Sequence, residues 1–137
     1  MNVDWIIACR HVEIHDNLGS LMGAGIDTFW LPELPNPIQV AIAVRLTALP
    51  EELEAGGEHT ARTIVRGPGG EAVSEITGTF SVGGRGADDR RDWVQGIMVG
   101  AVVQFMAETE GAYALEHVVD GSSASIPLHV VQSSPSA

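Results

Sequence analysis

Apolar and polar residues alternate with a period of two along much of this chain. The clearest case is residues 38–47, where one face carries Ile38, Val40, Ile42, Val44 and Leu46. The opposite face carries glutamine, arginine, threonine and two alanines. A helix would spread the β-branched residues around its circumference, whereas a strand places them on one side. The pattern therefore predicts a half-buried strand.

The same alternation, interrupted by turn-forming residues, predicts further strands. Residues 4–15 and 18–30 are predicted to be two strands joined by the turn HDNLGS. Residues 59–82 are predicted to form a hairpin around GPGG, and residues 111–131 two final strands around DGSS. Aspartate, asparagine and glycine at these points favour tight turns.

The remaining segments are connectors, with one exception. Residues 30–37 contain three prolines and form a rigid connector, and residues 50–57 an acidic loop or a single helical turn. The glycine-rich, charged residues 83–92 are predicted to be a loop, and residues 132–137 a flexible tail. The exception is residues 94–107, an apolar segment that favours a strand although its methionine and alanine content also suits a helix.

Seven or eight short strands without a convincing helix predict an all-β fold, here an antiparallel β-sandwich forming one domain over residues 1–131. A more specific signal lies near the end of the chain. Gly111 precedes Tyr113 by two residues, which resembles the tyrosine corner of immunoglobulin-like sandwiches, where the hydroxyl bonds to nearby backbone. The predicted sandwich is therefore immunoglobulin-like.

Composition limits the partners and the compartment. Eighteen acidic residues against seven basic ones give a net charge of −11, which repels nucleic acid and anionic membrane surfaces, so neither is an expected partner. Cys9 is the single cysteine, so no internal disulfide forms. The apolar run at residues 97–106 is too short to span a bilayer. These features predict a cytoplasmic protein.

The order of motifs also carries a resemblance. Residues 9–46 give a strand, an aspartate-containing turn, a Gly-x-Gly stretch, a proline-rich connector and a strongly alternating strand. The hairpin turn RGPGGEAV follows, and then a strand with Gly111 and Tyr113 that ends in Asp120 and Gly121. This pattern resembles a family of small, functionally uncharacterised bacterial β-sandwich proteins. The resemblance implies the sandwich fold and no particular activity.

The stretch CRHVEIHDN, residues 9–17, is the strongest candidate for metal chemistry. On a strand, Cys9, His11, Glu13 and His15 share one face, with neighbours about 6.7 Å apart and the two histidines about 13 Å apart. A zinc ion would therefore bind Glu13 with one of these histidines and need ligands from other strands. Candidates for those ligands are His59, His117 and His129. The favoured alternative is a solvated polar face.

Other residues are given structural interpretations. His117 shares a face with inward-pointing Tyr113, so it is predicted to be a core or boundary histidine with a hydrogen-bonded ring nitrogen. Cys9 is predicted to be a modestly exposed thiol. Gly23 and Gly25 are predicted to allow a bulge or the close approach of another segment.

The tryptophans suggest a second kind of site. If Trp30 and Trp93 are exposed at one end of the domain, they are able to anchor a protein partner or a sugar ring, since aromatic side chains dominate contact energies. The alternative is that they close the ends of a core that contains few other aromatic residues.

Three functions remain open. The favoured one is a non-enzymatic interaction or assembly module, a homo-oligomer or the binder of a protein partner through an edge strand or sheet face. The second is a small-molecule or carbohydrate binder that uses Trp30 and Trp93. The third is a metal-dependent enzyme built on His11, Glu13 and His15. No catalytic residue or cofactor is predicted, because the sequence contains neither a nucleophile elbow nor a nucleotide-binding fingerprint.

Overall fold

The computed structural model describes residues 1–83 and 93–133, and these residues form an all-β fold, as predicted. Their strands and one short helix are, in chain order, β1 (Asn2–Cys9), β2 (His11–His15), β3 (Leu18–Met22), β4 (Thr28–Leu31), β5 (Asn36–Ala48), α1 (Pro50–Ala55), β6 (Gly57–Arg66), β7 (Ala72–Val82), β8 (Gln95–Ala107), β9 (Gly111–Val119) and β10 (Ser122–Gln132). The predicted loop over residues 83–92, apart from Gly83, and the tail after Ser133 lie outside the described residues.

The strands form two main sheets and a separate hairpin. One sheet has the order β1-β5-β8 and the other the order β4-β10-β9-β6-β7, while β2 pairs only with β3. Within the described residues the pairs are antiparallel except β4 with β10, which is parallel. β1 lies against β10 and β7 against β8, so the two sheets approach each other along both margins.

The core lies between the two main sheets. Fully buried side chains come from the three-stranded sheet and from the five-stranded sheet, and the largest of them are Ile42, Leu46, Leu115 and Leu128. Each such side chain contributes about 1.5–3 kcal/mol to folding through its removal from water. The central strand β5 is buried on both faces over much of its length, since Ala41 and Ala43 on its second face are also buried.

Residues 94–107, which the sequence allowed to be a strand or a helix, contain the strand β8. β8 pairs with β5 in one continuous antiparallel register from Gln95 to Ala107. In its second half buried Val103 and Phe105 alternate with exposed Val102 and Met106, the period of a strand rather than of a helix. The predicted hairpins β6–β7 and β9–β10 are also present.

The predicted N-terminal strands over residues 4–15 and 18–30 are wrong in extent, because each is divided in two. Ala8 and Cys9 are both buried, so the alternation slips at this point and a bend at Arg10 separates β1 from β2. β1 then pairs with β5, whereas β2 turns through Asp16 and Asn17, both with positive φ, to pair with β3. For this reason the described residues contain ten strands instead of seven or eight.

The prediction of an exposed thiol at Cys9 is also wrong. Cys9 is fully buried and pairs with Ala41 of β5, because it belongs to β1 and not to the exposed hairpin. Burial raises the pKa of its thiol, which keeps the side chain protonated and unreactive.

The β2–β3 hairpin lies on β8. Val12 and Ile14 of β2 pack over Gly100, where a Cβ atom would lie 3.2 Å from Val12 Cγ1. Asn17, at the hairpin turn, fixes the hairpin to the edge of β8. Its side chain donates to the carbonyl oxygen of Gly96 (2.6 Å) and accepts from the N–H of Met98 (2.7 Å).

Candidate functional site

A cleft of about 600 Å³ opens where β7 and β8 diverge, and we call it the β7/β8 cleft. These strands are the edges of the two different main sheets. At one point the Ser74 hydroxyl bridges them, donating to the carbonyl oxygen of Gln104 (2.8 Å). Residues 76–80 and 99–102 form the walls, and Val12 and Ile14 of the hairpin also line the cleft. Its volume lies within the range typical of small-molecule sites, roughly 300–1,000 Å³.

His117 lines the cleft from the side of the five-stranded sheet. Only 3% of the residue is exposed, and a hydrogen bond of 2.9 Å joins its Nδ1 to the Thr63 hydroxyl oxygen. The prediction of a core histidine with a bonded ring nitrogen is therefore confirmed. Nε2, however, is buried and has no hydrogen-bond partner. Burial also lowers the pKa of the His117 imidazole, so the ring is neutral near pH 7.

The lining of the cleft, as far as the described residues form it, is uncharged around that neutral imidazole. The polar side chains of this described lining are those of His117 and three threonines, and its other residues are apolar or glycine. Nε2 of a neutral imidazole donates or accepts a hydrogen bond, according to the tautomer that the Thr63 hydroxyl selects. A buried group without a partner costs about 1–3 kcal/mol. The cleft therefore offers a large apolar surface, and beside it lies a buried side-chain nitrogen that has no hydrogen-bond partner in the described part of the protein.

The predicted metal ligands of the hairpin lie outside this cleft. His11, Glu13 and His15 occupy the exposed face of β2, opposite Val12 and Ile14. His11 Nε2 lies 3.1 Å from one carboxylate oxygen of Glu13, and His15 Nε2 lies 3.8 Å from the other. The hydrogen bond from His11 lowers the pKa of the Glu13 carboxyl group. The arrangement is that of a polar ladder exposed to water.

The other histidines do not join this ladder. His59 Nδ1 lies 2.7 Å from Asp120 Oδ2, and the His59 ring stacks on Phe80 with the ring centroids 5.6 Å apart. His129 is exposed on β10. Within residues 1–83 and 93–133, no three histidine, cysteine, aspartate or glutamate side chains form a group able to hold a metal ion.

The tryptophans are exposed and are not brought together. Trp30 is 68% exposed on β4, beside the end of β10 where Glu110 accepts from the N–H of Gln132. Trp93 is 58% exposed and precedes β8 at the end where Gln95 pairs with Ala48. Since β8 runs about 40 Å from that end to the neighbourhood of Glu110, the two indoles do not form one surface.

The residues predicted to be structural occupy constrained backbone positions. The Tyr113 hydroxyl donates to the carbonyl oxygen of Thr109 (2.9 Å), the contact that a tyrosine corner makes. Gly111 has φ of +145°, and a Cβ atom there would lie 2.8 Å from Pro68. Gly23 has φ of +63° and leaves no room for a Cβ atom beside the Arg10 side chain, while Gly25 has φ of +90° and open space around it.

Sequence reasoning did not find the cleft, because its residues come from five strands. Thr63, Phe80 and Val99 are ordinary core residues in their own strands, and only the separation of two sheet edges makes them neighbours of a cavity. Gly78 and Gly100 were the available signals, since a glycine within a strand often marks a place where something approaches the backbone. Both line the cleft, and a Cβ atom at Gly78 would meet nothing within 4 Å.

Comparisons with known proteins provide no name for this arrangement. Neither the models of known protein families nor the curated proteins contain a match to the chain. In the residues that the structure describes, no helix has the length and apolar character needed to cross a membrane.

Proposed function

We propose that the protein is a non-enzymatic binding module whose β7/β8 cleft takes an apolar ligand with one hydrogen-bonding group. The observation that carries the proposal is Nε2 of His117, buried beside an apolar cleft without a partner. A ligand hydroxyl that reaches this nitrogen would satisfy it, and the apolar part of the ligand would cover Ile76, Phe80 and Ala101. The apolar contacts supply affinity, and the imidazole supplies selectivity.

The charge state of the cleft favours a neutral ligand. The lowered pKa of His117 leaves the imidazole uncharged, and among residues 1–83 and 93–133 the lining includes no cation to pair with a carboxylate or phosphate. Burying an unpaired charge there would cost several kcal/mol. Alcohols and phenols satisfy both requirements, because a hydroxyl group accepts or donates as the tautomer demands.

Two matched ligands test this proposal. 2-Naphthol and naphthalene have the same apolar body and differ by one hydroxyl group. We expect 2-naphthol to bind more tightly by roughly fivefold, because one hydrogen bond contributes about 1 kcal/mol. Fluorescence titration measures both dissociation constants.

Variants of two histidines provide the control. The preference for 2-naphthol should disappear in His117→Phe and persist in His129→Phe, since His129 is exposed on β10. Equal binding of the two ligands by the wild-type protein, or an unchanged preference in His117→Phe, would contradict the role of the imidazole. Absence of binding by either ligand would contradict the site itself.

A second candidate function is assembly through self-association. The observation that favours it is a set of exposed apolar side chains on strands at sheet edges, namely Trp30 on β4 and Val102 and Met106 on β8. Light scattering coupled to size-exclusion chromatography tests it. A homo-oligomer at a concentration of about 50 µM would support assembly, whereas a strict monomer would contradict it.

Two earlier alternatives remain proposals of lower rank. A carbohydrate site at Trp30 and Trp93 is supported by the exposure of both indoles and weakened by their separation. A metal-dependent activity at His11, Glu13 and His15 is supported only by the contacts of the ladder with Glu13. Tryptophan fluorescence against a sugar panel and elemental analysis for zinc test the two in turn.

The fold and setting that we propose are an immunoglobulin-like β-sandwich in a cytoplasmic bacterial protein of the small uncharacterised family named above. Support for the fold comes from the core between two main sheets and from the bond of the Tyr113 hydroxyl to Thr109. Support for the compartment comes from the single, buried cysteine. The net charge of −11 supports partners other than nucleic acid or membrane.

A further inference from the structure

At both ends of the β7/β8 cleft, side chains form hydrogen bonds with backbone groups on the outer edge of β8. Asn17 bonds to the carbonyl oxygen of Gly96 and to the N–H of Met98 on one side of it. Ser74 bonds to the carbonyl oxygen of Gln104 on the other side. All three of these β8 residues direct backbone groups away from β5, because a group bonded to β5 would not be free to contact Asn17 or Ser74.

Strand geometry then fixes the direction of the backbone between these points. In an antiparallel pair, successive residues alternate between bonding the partner strand and facing away from it. The register of β8 with β5 has no bulge, so Gly100 and Val102 face away from β5 as Met98 and Gln104 do. Both residues line the cleft, and in the described part of the chain no strand pairs with this edge. Two N–H and two C=O groups therefore open into a cleft whose described lining is largely apolar and carries no charge.

We propose that the natural ligand of the β7/β8 cleft is an extended, uncharged peptide segment of a partner protein, which pairs with β8 at Gly100 and Val102. This inference rests on the proposed function, since it names the class of ligand for the same site. A small alcohol can satisfy His117 but leaves the four backbone groups without partners, whereas an added strand satisfies both. Unpaired backbone groups in an apolar site are costly, which favours a ligand that supplies its own backbone.

The unpaired part of the β8 edge has two ends, and the distance between them sets the length of the bound peptide segment. Met98 and Gln104 are separated by about 20 Å of strand, and both are already bonded to side chains. About five ligand residues therefore fit between them. Their side chains are uncharged, because the described residues of the lining include no charged group, and one that reaches His117 is serine or threonine.

A library of capped pentapeptides tests the inference, with the three central positions drawn from alanine, valine, leucine, isoleucine, serine and threonine. Peptides retained by the immobilised protein are sequenced and titrated into ¹⁵N-labelled protein. We expect hydrogen exchange at the amides of Gly100 and Val102 to slow at least about tenfold on binding. A peptide N-methylated at its central residues should lose binding, because it retains the side chains but not the backbone donors.

Proline variants on the same edge provide the matched comparison. Val102→Pro removes an N–H that faces the cleft and leaves the bonds between β8 and β5 in place. Met106→Pro makes the same change at an exposed residue of the same edge beyond the Ser74 bridge. We expect Val102→Pro to weaken peptide binding at least about tenfold, and Met106→Pro, which lies outside the lining of the cleft, to leave the binding of both peptides and 2-naphthol unchanged.

The outcomes separate the inference from the proposed function. Retained 2-naphthol binding with no peptide captured, or peptides insensitive to N-methylation, would overturn strand pairing and leave the binding cleft intact. Failure of both peptides and 2-naphthol to bind would overturn both proposals. If Val102→Pro does not fold, amide exchange in the wild-type protein and the N-methylated peptides decide the question.

Discussion

Histidines occupy two contrasting regions of this protein. His11 and His15 lie on the outer face of the β2–β3 hairpin, where both contact Glu13 in water. His117 lies on β9, buried beside the β7/β8 cleft, with one ring nitrogen bonded to Thr63 and the other without a partner. The sequence of the first region contains several candidate metal ligands close together. The sequence of the second region shows a single histidine among apolar residues.

The difference between these regions shows what a binding site requires. Surrounding strands that enclose a side chain matter more for such a site than the closeness of histidine and glutamate residues in the sequence. A strand places alternate residues on one face, so a His-x-Glu-x-His sequence gives a row of side chains but no walls around them. The walls around His117 come from β2, β6, β7 and β8. Desolvation lowers the pKa of its imidazole and raises the cost of an unmade hydrogen bond.

The largest expected effect on stability tests whether one face of β2 is packed on β8 while the other is exposed to water. Val12→Asp places a carboxylate between the hairpin and Gly100, where none of the described residues of the lining is a cation able to pair with it. We expect the free energy of unfolding to fall by about 2–5 kcal/mol, because an unpaired charge loses its water. Urea unfolding followed by circular dichroism measures the loss. A change below about 1 kcal/mol would show that this face of the hairpin is not packed on β8.

The next effect concerns the hydrogen bond that orients His117. Thr63→Val keeps the shape of a buried side chain but leaves both nitrogens of His117 without a partner. We expect a loss of about 1–3 kcal/mol in the free energy of unfolding. Thr60→Val, at an exposed position of the same strand, is the control and should change little. Equal effects of the two variants would mean that the Thr63–His117 bond contributes nothing measurable.

The pH dependence of stability sharpens the comparison further. Burial lowers the pKa of His117 in the folded protein below the ordinary value of 6.5, so the unfolded chain binds this proton more readily. The free energy of unfolding therefore falls as the pH drops below 6.5, by at most about 1.4 kcal/mol per pH unit for this group, and the effect is absent at higher pH.

The His117→Phe variant isolates this contribution. Between pH 5.5 and 7.5, subtraction of its stability curve from that of the wild-type protein removes the effects of the other four histidines. We expect the difference to show the slope described above. A difference that does not change with pH would mean that His117 titrates normally and is not desolvated.

The smallest expected effect belongs to the exposed ladder. Replacement of His11, Glu13 and His15 together by threonine should change the free energy of unfolding by no more than about 0.5 kcal/mol per position, since surface substitutions have small effects and threonine suits a strand. Elemental analysis before and after the substitution provides the control. Stoichiometric zinc in the wild-type protein, lost together with several degrees of melting temperature in the variant, would establish a metal site instead.

Much of the fold follows from the sequence because its signals are local. Alternation in β5 and the turn residues of the β6–β7 and β9–β10 hairpins depend on neighbouring positions only. The break at Arg10 does not, since it depends on the pairing of Cys9 with Ala41, far along the chain. The parallel pairing of β4 with β10 joins segments about 100 residues apart and leaves no local trace.

The candidate site was predictable only in part for the same reason. The inward position of His117 follows from its register with Tyr113 on one strand. The cavity beside it follows from how far β7 stands from β8, and that separation is set by the packing of whole sheets. In the sequence, two glycines inside strands, Gly78 and Gly100, mark the place.

Filling the cleft is the most direct test of the central claim, that the β7/β8 cleft is a binding site. Gly78→Leu adds a side chain that points into open space at the wall of the cleft, and Gly83→Leu adds the same side chain at a glycine outside the lining. Fluorescence titration with 2-naphthol compares the two proteins. We expect Gly78→Leu to weaken binding at least about tenfold and Gly83→Leu to bind as the wild-type protein does. Equal binding by both variants would show that the ligand lies elsewhere and would contradict the assignment of the site.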